Sequence, residues 1–260
     1  MQNYLASSNR IIVVTLALLI VFGVAGYSIW DYLRLDNTDN KLIEKTSDDE
    51  VRIKSLAINL DYYDPETNMA GDLVFTQDSF PEETVPALFT DYGTEVAGNS
   101  ANNWQSRLNP QPTFIAPLGT EVHALIDGEV VAIPQLYSGD YSIHMQGKGS
   151  DLIFETEHVI NLKVQIGDKV KAGDVIAEVS DYDAINYHGL GLVEIGILKG
   201  GNPPQHLCPF AYLDESIKDD TLSKITDLKK SWEEYRGDTT IYDESAEVIP
   251  GCLTQSFIEG

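Results

Sequence analysis

Hydrophobic and polar residues alternate most clearly in two stretches, Ala116 to Ile133 (APLGTEVHALIDGEVVAI) and Val164 to Ser180 (VQIGDKVKAGDVIAEVS). β-Branched residues alternate with polar ones there, and Gly and Asp-Gly breaks interrupt them, which predicts short strands joined by tight hairpins. Gly167 and Gly173 bracket DKVKA, so the chain must reverse twice within a few residues. The region 105–213 therefore reads as a curled, sandwich-like β domain, and the fold class as mainly β. Beyond it, Leu213, Ile217, Leu222, Ile225, Leu228 and Trp232 recur at helical spacing. That pattern predicts a helix reaching Arg236, with Gly237 as its stop signal and an acidic tail after it, so that 214–260 is a C-terminal helix and tail.

The start of the chain follows a different pattern. Residues 1–10 are a short polar tail, and Ile11 to Trp30 then runs twenty residues without a charge. At about 1.5 Å per helical residue this length crosses a hydrocarbon core of about 30 Å, so it reads as one transmembrane helix. Tyr27 and Trp30 suit the far interface. A cleaved signal peptide is the competing reading, but its apolar core is shorter and the small residues from Val24 to Gly26 make a poor cleavage site. Residues 31–51 read as a stalk and 52–104 as an irregular β lead-in. Basic residues lie on both sides of the span, so they do not set its orientation. A long domain after a single N-terminal anchor usually translocates. The expectation is a single-pass protein with its N-terminus cytoplasmic and its domain periplasmic or extracellular.

Charge narrows the partners. With 41 acidic against 17 basic side chains, the formal net charge is -24. Phosphate contacts need clustered Lys and Arg, so nucleic acid is excluded as a partner and anionic lipid headgroups are disfavoured. Cys208 and Cys252 are the two cysteines. In an oxidising compartment one disulfide closing the C-terminal segment is expected, two free thiols being the alternative.

At this point the residues resemble a known family. The run from Phe89 to Leu213 is similar to the lysostaphin-type, or LytM-type, zinc endopeptidase domain that cuts peptide cross-links in bacterial cell walls. FTDYGTEV (Phe89 to Val96) resembles its opening strand, APLGTEVHALIDGEVV its first strand pair, and GDKVKAGDVIAEV its second. LVEIGI (Leu192 to Ile197) stands where the family has His-Phe-Glu-Val, and CPFAYL where its domain closes. The resemblance implies a duplicated-hybrid-motif β sandwich.

The family's chemistry is not matched. Its zinc is held by a His, an Asp four residues on and one His of a late His-x-His. Those positions fall on Asn109, Thr113 and Leu192, and the other late His on Leu190. A leucine has no lone pair, and Asn and Thr are weak neutral ligands for zinc. His158 in TEHVI matches a His that assists catalysis in active members. The resemblance thus implies a pseudoenzyme with no catalytic residues, no metal and no cofactor, zinc included. Its former substrate groove is expected to be lined by Asn109, Thr113, His158, His188, Leu190 and Leu192, with Tyr137, Tyr141 and Tyr187 from flanking loops. His188, His123 and His144 lack a recognised ligand spacing.

The same strands also resemble lipoyl carrier domains, but Asp183 stands where the acylated lysine belongs. Three functions remain. The first is a membrane-anchored binding or scaffolding module for an envelope protein or peptidoglycan. The second is a structural subunit of an envelope or secretion assembly, and the third an active endopeptidase with displaced ligands.

Overall fold

The computed structural model describes residues 50–78, 80, 87–96, 106–182 and 187–259. The polar tail, the apolar span Ile11 to Trp30, nearly all of the stalk and Asp183 lie outside the described residues. Among those described, no helix is long and apolar enough to cross a membrane. The chain divides into two compact units after Glu50, and every element below belongs to the second.

Among the described residues fifteen strands follow in order. They are β1 (Met69–Ala70), β2 (Leu73–Val74), β3 (Phe89–Thr90), β4 (Glu95–Val96), β5 (Arg107–Leu108), β6 (Thr113–Pro117), β7 (Glu121–His123) and β8 (Gly128–Ala132). Then come β9 (Tyr141–Gln146), β10 (Ile153–Ile160), β11 (Lys169–Val170), β12 (Val175–Val179), β13 (Leu190–Lys199), β14 (Gln205–Leu207) and β15 (Ile258–Glu259). Among the described residues one α-helix, α1, spans Lys218–Arg236. The protein is mainly β with a C-terminal helix, as the patterning predicts.

Eleven of the strands form one antiparallel network, with the path β11-β8-β9-β10-β13-β14-β15 and side branches through β12, β7, β6 and β3. β13 is its spine. Its ten residues (LGLVEIGILK) pair with β6 through Leu190 to Glu194, with β10 through Glu194 to Leu198 and with β14 through Ile197 to Lys199. A strand covered on both faces should be nearly continuously apolar. Apart from Glu194, the middle of β13 is.

The turns behave as their residues demand. Gly167 and Gly173 have φ of 94° and 89°, a region that costs side-chain-bearing residues conformational energy and glycine none. They place Lys169–Val170 against β8 and Val175–Val179 against β7 and β10.

α1 lays Thr221, Ile225, Leu228 and Trp232 against the core. Gly237 closes it in the left-handed conformation, its N–H bonding the carbonyls of Glu233 and Glu234. Trp232 meets Phe75 edge-on and Phe80 face-on, at 5.3 and 5.8 Å between ring centres. Full burial of such a side chain is worth about 1.5–3 kcal/mol. These contacts fasten the helix and the lead-in segment to the same core. The Cys208–Cys252 disulfide ties the tail back to the end of the β domain.

Candidate functional site

The site is built on an irregularity in β10. Successive residues of a strand face opposite sides, so Glu155 and Glu157 share a face and His158 should turn away. Pairing with β9 shifts register between Thr156 and Val159, and His158 sits at φ 58°. A bulge of this kind re-aims a side chain. His158 consequently joins Glu155 and Glu157 in lining a cavity of about 870 Å³. Past the bulge, β10 leaves β13 and pairs with β12 through Val159 and Ile160.

Two rows of cross-strand neighbours form the cavity's polar floor. Thr113, Glu194 and Glu157 make one row across β6, β13 and β10. Gly196, Glu155 and His144 make the next, across β13, β10 and β9. In the second row Glu155 is buried and well held. Gln111 Nε2 donates to its Oε1 at 2.9 Å, and the Nε2 atoms of His206 and His144 stand 3.4 Å from its two oxygens. Burial works to raise the Glu155 pKa, but hydrogen bonds from His144 and His206 outweigh it and hold the carboxyl below its ordinary range.

The first row has less compensation. Glu157 and Glu194 are directly opposite, an arrangement that like charges disfavour. Glu157 is pushed up to about 7, first by burial and then by the charges of Glu155 and Glu194. Burial also raises Glu194, against the pull of His158 and of the Thr113 hydroxyl, which donates at 3.1 Å. His158 bonds through Nδ1 to Asp140 at 2.9 Å and turns Nε2 toward Glu194 Oε2, 3.8 Å away. Its ring stacks on Tyr182 at 4.3 Å. Burial works to lower the His158 pKa, but the Asp140 hydrogen bond and the charges of Glu194, Asp140 and Glu157 raise it overall. Asp140 is held low despite its burial by hydrogen bonds from His158, Ser138 and Ser180.

Of the residues singled out from sequence, the cavity gathers Asn109, Thr113, Tyr137, His144, His158, Tyr187 and Leu192. Among the described residues, Tyr141, His188, Leu190 and His123 do not line it. Tyr141 pairs with Val159 at the start of β9, Leu190 pairs with Pro117, His188 is exposed, and His123 pairs with Val175. Tyr137 stands at the rim, 89% exposed, its hydroxyl 2.7 Å from that of Tyr182. Tyr187 is fully buried and meets Phe80 edge-on. Glu194, His206 and Asp140 carry no recognised motif. The signals for the first two are an acid inside the apolar run LVEIGI and a histidine two residues before Cys208.

The zinc of the resembled family does not fit its own positions here. The Asn109 side-chain nitrogen donates to the carbonyls of Gln111 and Asp91, at 2.6 and 3.3 Å. The Thr113 hydroxyl is engaged with Glu194 and Gln111. Leu192, opposite Ile115, is buried and has no donor atom. Elsewhere on the floor, two sets of three side chains bring ligating atoms within 4.8 Å of one another, namely His144 with Glu155 and Glu157, and Glu157 with His158 and Glu194.

Comparison with known proteins gives a family for the middle of the chain. The model described as Peptidase family M23 matches residues 112–194, about a third of the sequence. Among solved structures, lysostaphin is 20% identical, with 43% of this chain and 43% of that chain covered and a TM-score of 0.35. The catalytic domain of the prophage-encoded M23 protein EnpA from Enterococcus faecalis is 24% identical, with 48% of this chain and 89% of that chain covered and a TM-score of 0.35. The SpoIIQ–SpoIIIAH pore-forming complex gives 17% identity, 66% and 98% coverage and a TM-score of 0.39. The chain thus spans about half the length of lysostaphin, and no curated protein matches it. The matched segment begins at the first strand of the cavity floor and ends at Glu194, and residues 112–194 form a LytM-type domain.

Proposed function

We propose that this protein is a membrane-anchored LytM-like module that holds a component of the cell envelope in its groove and does not hydrolyse it. One observation carries the reading. Where the family places its metal ligands, this chain has two neutral side chains already engaged with neighbouring groups, Asn109 and Thr113, and an aliphatic one, Leu192. With no ion at that place, no group there lowers the pKa of an attacking water or polarises a peptide carbonyl. His158 then has nothing to assist.

The rest of the reading agrees with this. The apolar run Ile11 to Trp30 supplies the anchor. A disulfide persists in compartments outside the reducing cytoplasm, which favours a periplasmic or extracellular domain. The groove keeps a ligand-sized volume and aromatic rims at Tyr137 and Tyr182, features that suit peptide or glycan contact.

The test incubates the full-length protein in mild detergent with purified peptidoglycan. The expected result is co-sedimentation without release of soluble peptides. Sustained release that stops on chelation would sink the inactive reading. Failure to sediment would move the partner from the wall to an envelope protein.

A further inference from the structure

We propose that Lys229 and Asp91 condense to an intramolecular amide, with Glu247 carrying the proton, so that α1 becomes covalently joined to the residue after β3. The three side chains lie outside the groove, and the inference stands whether or not the groove holds a partner.

Geometry carries it. Lys229 of α1 is fully buried, and its Nζ touches both Asp91 Oδ1 and Glu247 Oε1. The side chains of Lys229, Asp91 and Glu247 are 1%, 7% and 8% exposed. Lys229 is 138 residues from Asp91 and 18 from Glu247, so only the finished fold assembles them. Phe89 and Tyr242 wall the amine, their ring centres 5.4 and 5.3 Å from Nζ. The Tyr242 hydroxyl donates to the Phe89 carbonyl at 3.0 Å, which holds the two rings together.

Each group has the chemistry for one part of the reaction. The amine is the nucleophile and the Asp91 carboxyl, once protonated, the electrophile. Burial raises Asp91 to about 6, so part of it is the neutral acid near neutral pH. Gly251 N–H donates to Glu247 Oε1 at 2.9 Å and keeps that carboxylate on the amine. Reactants held about 3–3.5 Å apart gain effective molarities of about 10⁵–10⁸ M. A nitrogen in contact with Oδ1 has Cγ as its next neighbour. Buried ion pairs stabilise little, because desolvating two charges offsets their attraction. A neutral amide in their place removes that cost.

The step balances without an oxidant or a second reactant. One proton passes from the Lys229 ammonium to the Asp91 carboxylate, which leaves amine and acid. Nζ then bonds to Cγ. Glu247 takes a proton from Nζ and delivers it to the Asp91 hydroxyl, which departs as water as its Cγ–O bond breaks. Glu247 returns to the carboxylate it began as. The amide ties β3 to α1 across the whole of β13. Asp91 titrates only in chains where the bond is still open.

The experiment holds the full-length protein in mild detergent overnight at pH about 6, where Asp91 is half protonated. The protein is then reduced, unfolded and weighed by mass spectrometry. A chain lighter than its sequence by one water is expected, with tryptic peptides of Lys229 and Asp91 joined. Asp91→Ala should keep its full mass. Glu247→Gln should form the bond about 100-fold more slowly, the loss expected when a proton carrier is removed. Circular dichroism melts check that both variants fold, and the wild-type mass decides without them. A wild type at full mass would overturn the proposal and leave the triad a buried ion pair. Water lost between Lys229 and Glu247 instead would overturn it as well. A Glu247→Gln chain that condenses at the wild-type rate would overturn the role given to Glu247.

Discussion

Thr113 and Glu194 face each other across β6 and β13, and the threonine hydroxyl donates to the glutamate at 3.1 Å. This bond is the inner edge of the acidic floor. It fixes which way the Glu194 carboxylate points and lowers the cost of keeping an acid in an otherwise apolar strand. Thr113→Val keeps the shape and removes the donor. Hydrogen bonds to charged groups contribute about 1.5–3 kcal/mol, and an orphaned acceptor costs a comparable amount. We expect urea melts of Thr113→Val to show a loss of about 1–3 kcal/mol. A neutral result would mean that water replaces the hydroxyl without cost.

Gly196 and Glu155 form the next rung, and here the constraint is steric. A Cβ at Gly196 would stand 2.8 Å from Glu155 Cγ and 3.0 Å from its Cδ. The carboxylate can retreat only by breaking its contacts with Gln111, His144 and His206. We therefore expect Gly196→Ala to be among the more harmful single-methyl additions, with a loss of about 1–3 kcal/mol from overpacking. Because Glu155 holds the two imidazoles, proton NMR of His144 and His206 should shift together in the variant. Unchanged histidine resonances would show that Glu155 does not orient them.

How far the sequence discloses this site depends on which interactions set each residue. Gly167 and Gly173 are local requirements of two turns, and Gly237 ends a periodic run. These are legible because their causes lie within a few residues. The floor is not local. A strand pattern of period two is unchanged by a shift of two residues, so alternation alone cannot separate Leu192 from Glu194. Only pairing with β6 sets Glu194, two positions beyond Leu192, opposite Thr113. The Glu157–His158 juxtaposition needs the bulge in β10, and the left-handed backbone at His158 leaves no mark in TEHVI. His206 and Asp140 reach the site from distant segments, through tertiary packing that spacing does not encode.

The Cys208–Cys252 bridge spans 44 residues that include α1. Closing a loop of that length removes unfolded-state entropy worth up to about 4 kcal/mol, with about 2–4 typical of measurement. We expect the double Cys208→Ser, Cys252→Ser variant to melt lower by that amount. The loss should concentrate in the tail, because Tyr92 pairs with Cys252 and β15 with β14 only while the tail is docked. Hydrogen exchange should show early loss of protection at Ile258 and Leu253. Uniform loss across the β domain instead would mean that the bridge stabilises the whole unit rather than its C-terminal closure.

Asp91 gives the pH prediction. It lies buried with Glu247 against Lys229, so one cation serves two carboxylates. Burial is the main cause that raises its pKa from 3.8 to about 6. Lys229 opposes the shift and Glu247 adds to it. Between those two values the folded protein holds more protons than the unfolded chain. Stability from this group is therefore full below 3.8 and is lost as pH rises through about 6. Glu157 acts in the same sense over a higher window, from 4.5 to about 7. Asp91→Asn should remove the Asp91 part alone. In melts made with chelator present, the variant should lose less stability than the wild type as pH rises from 3.8 to about 6, with the two curves running parallel above it. A wild type that grows more stable over that interval, by an amount the substitution abolishes, would mean that Lys229 holds Asp91 ionised and that the ion pair outweighs its burial.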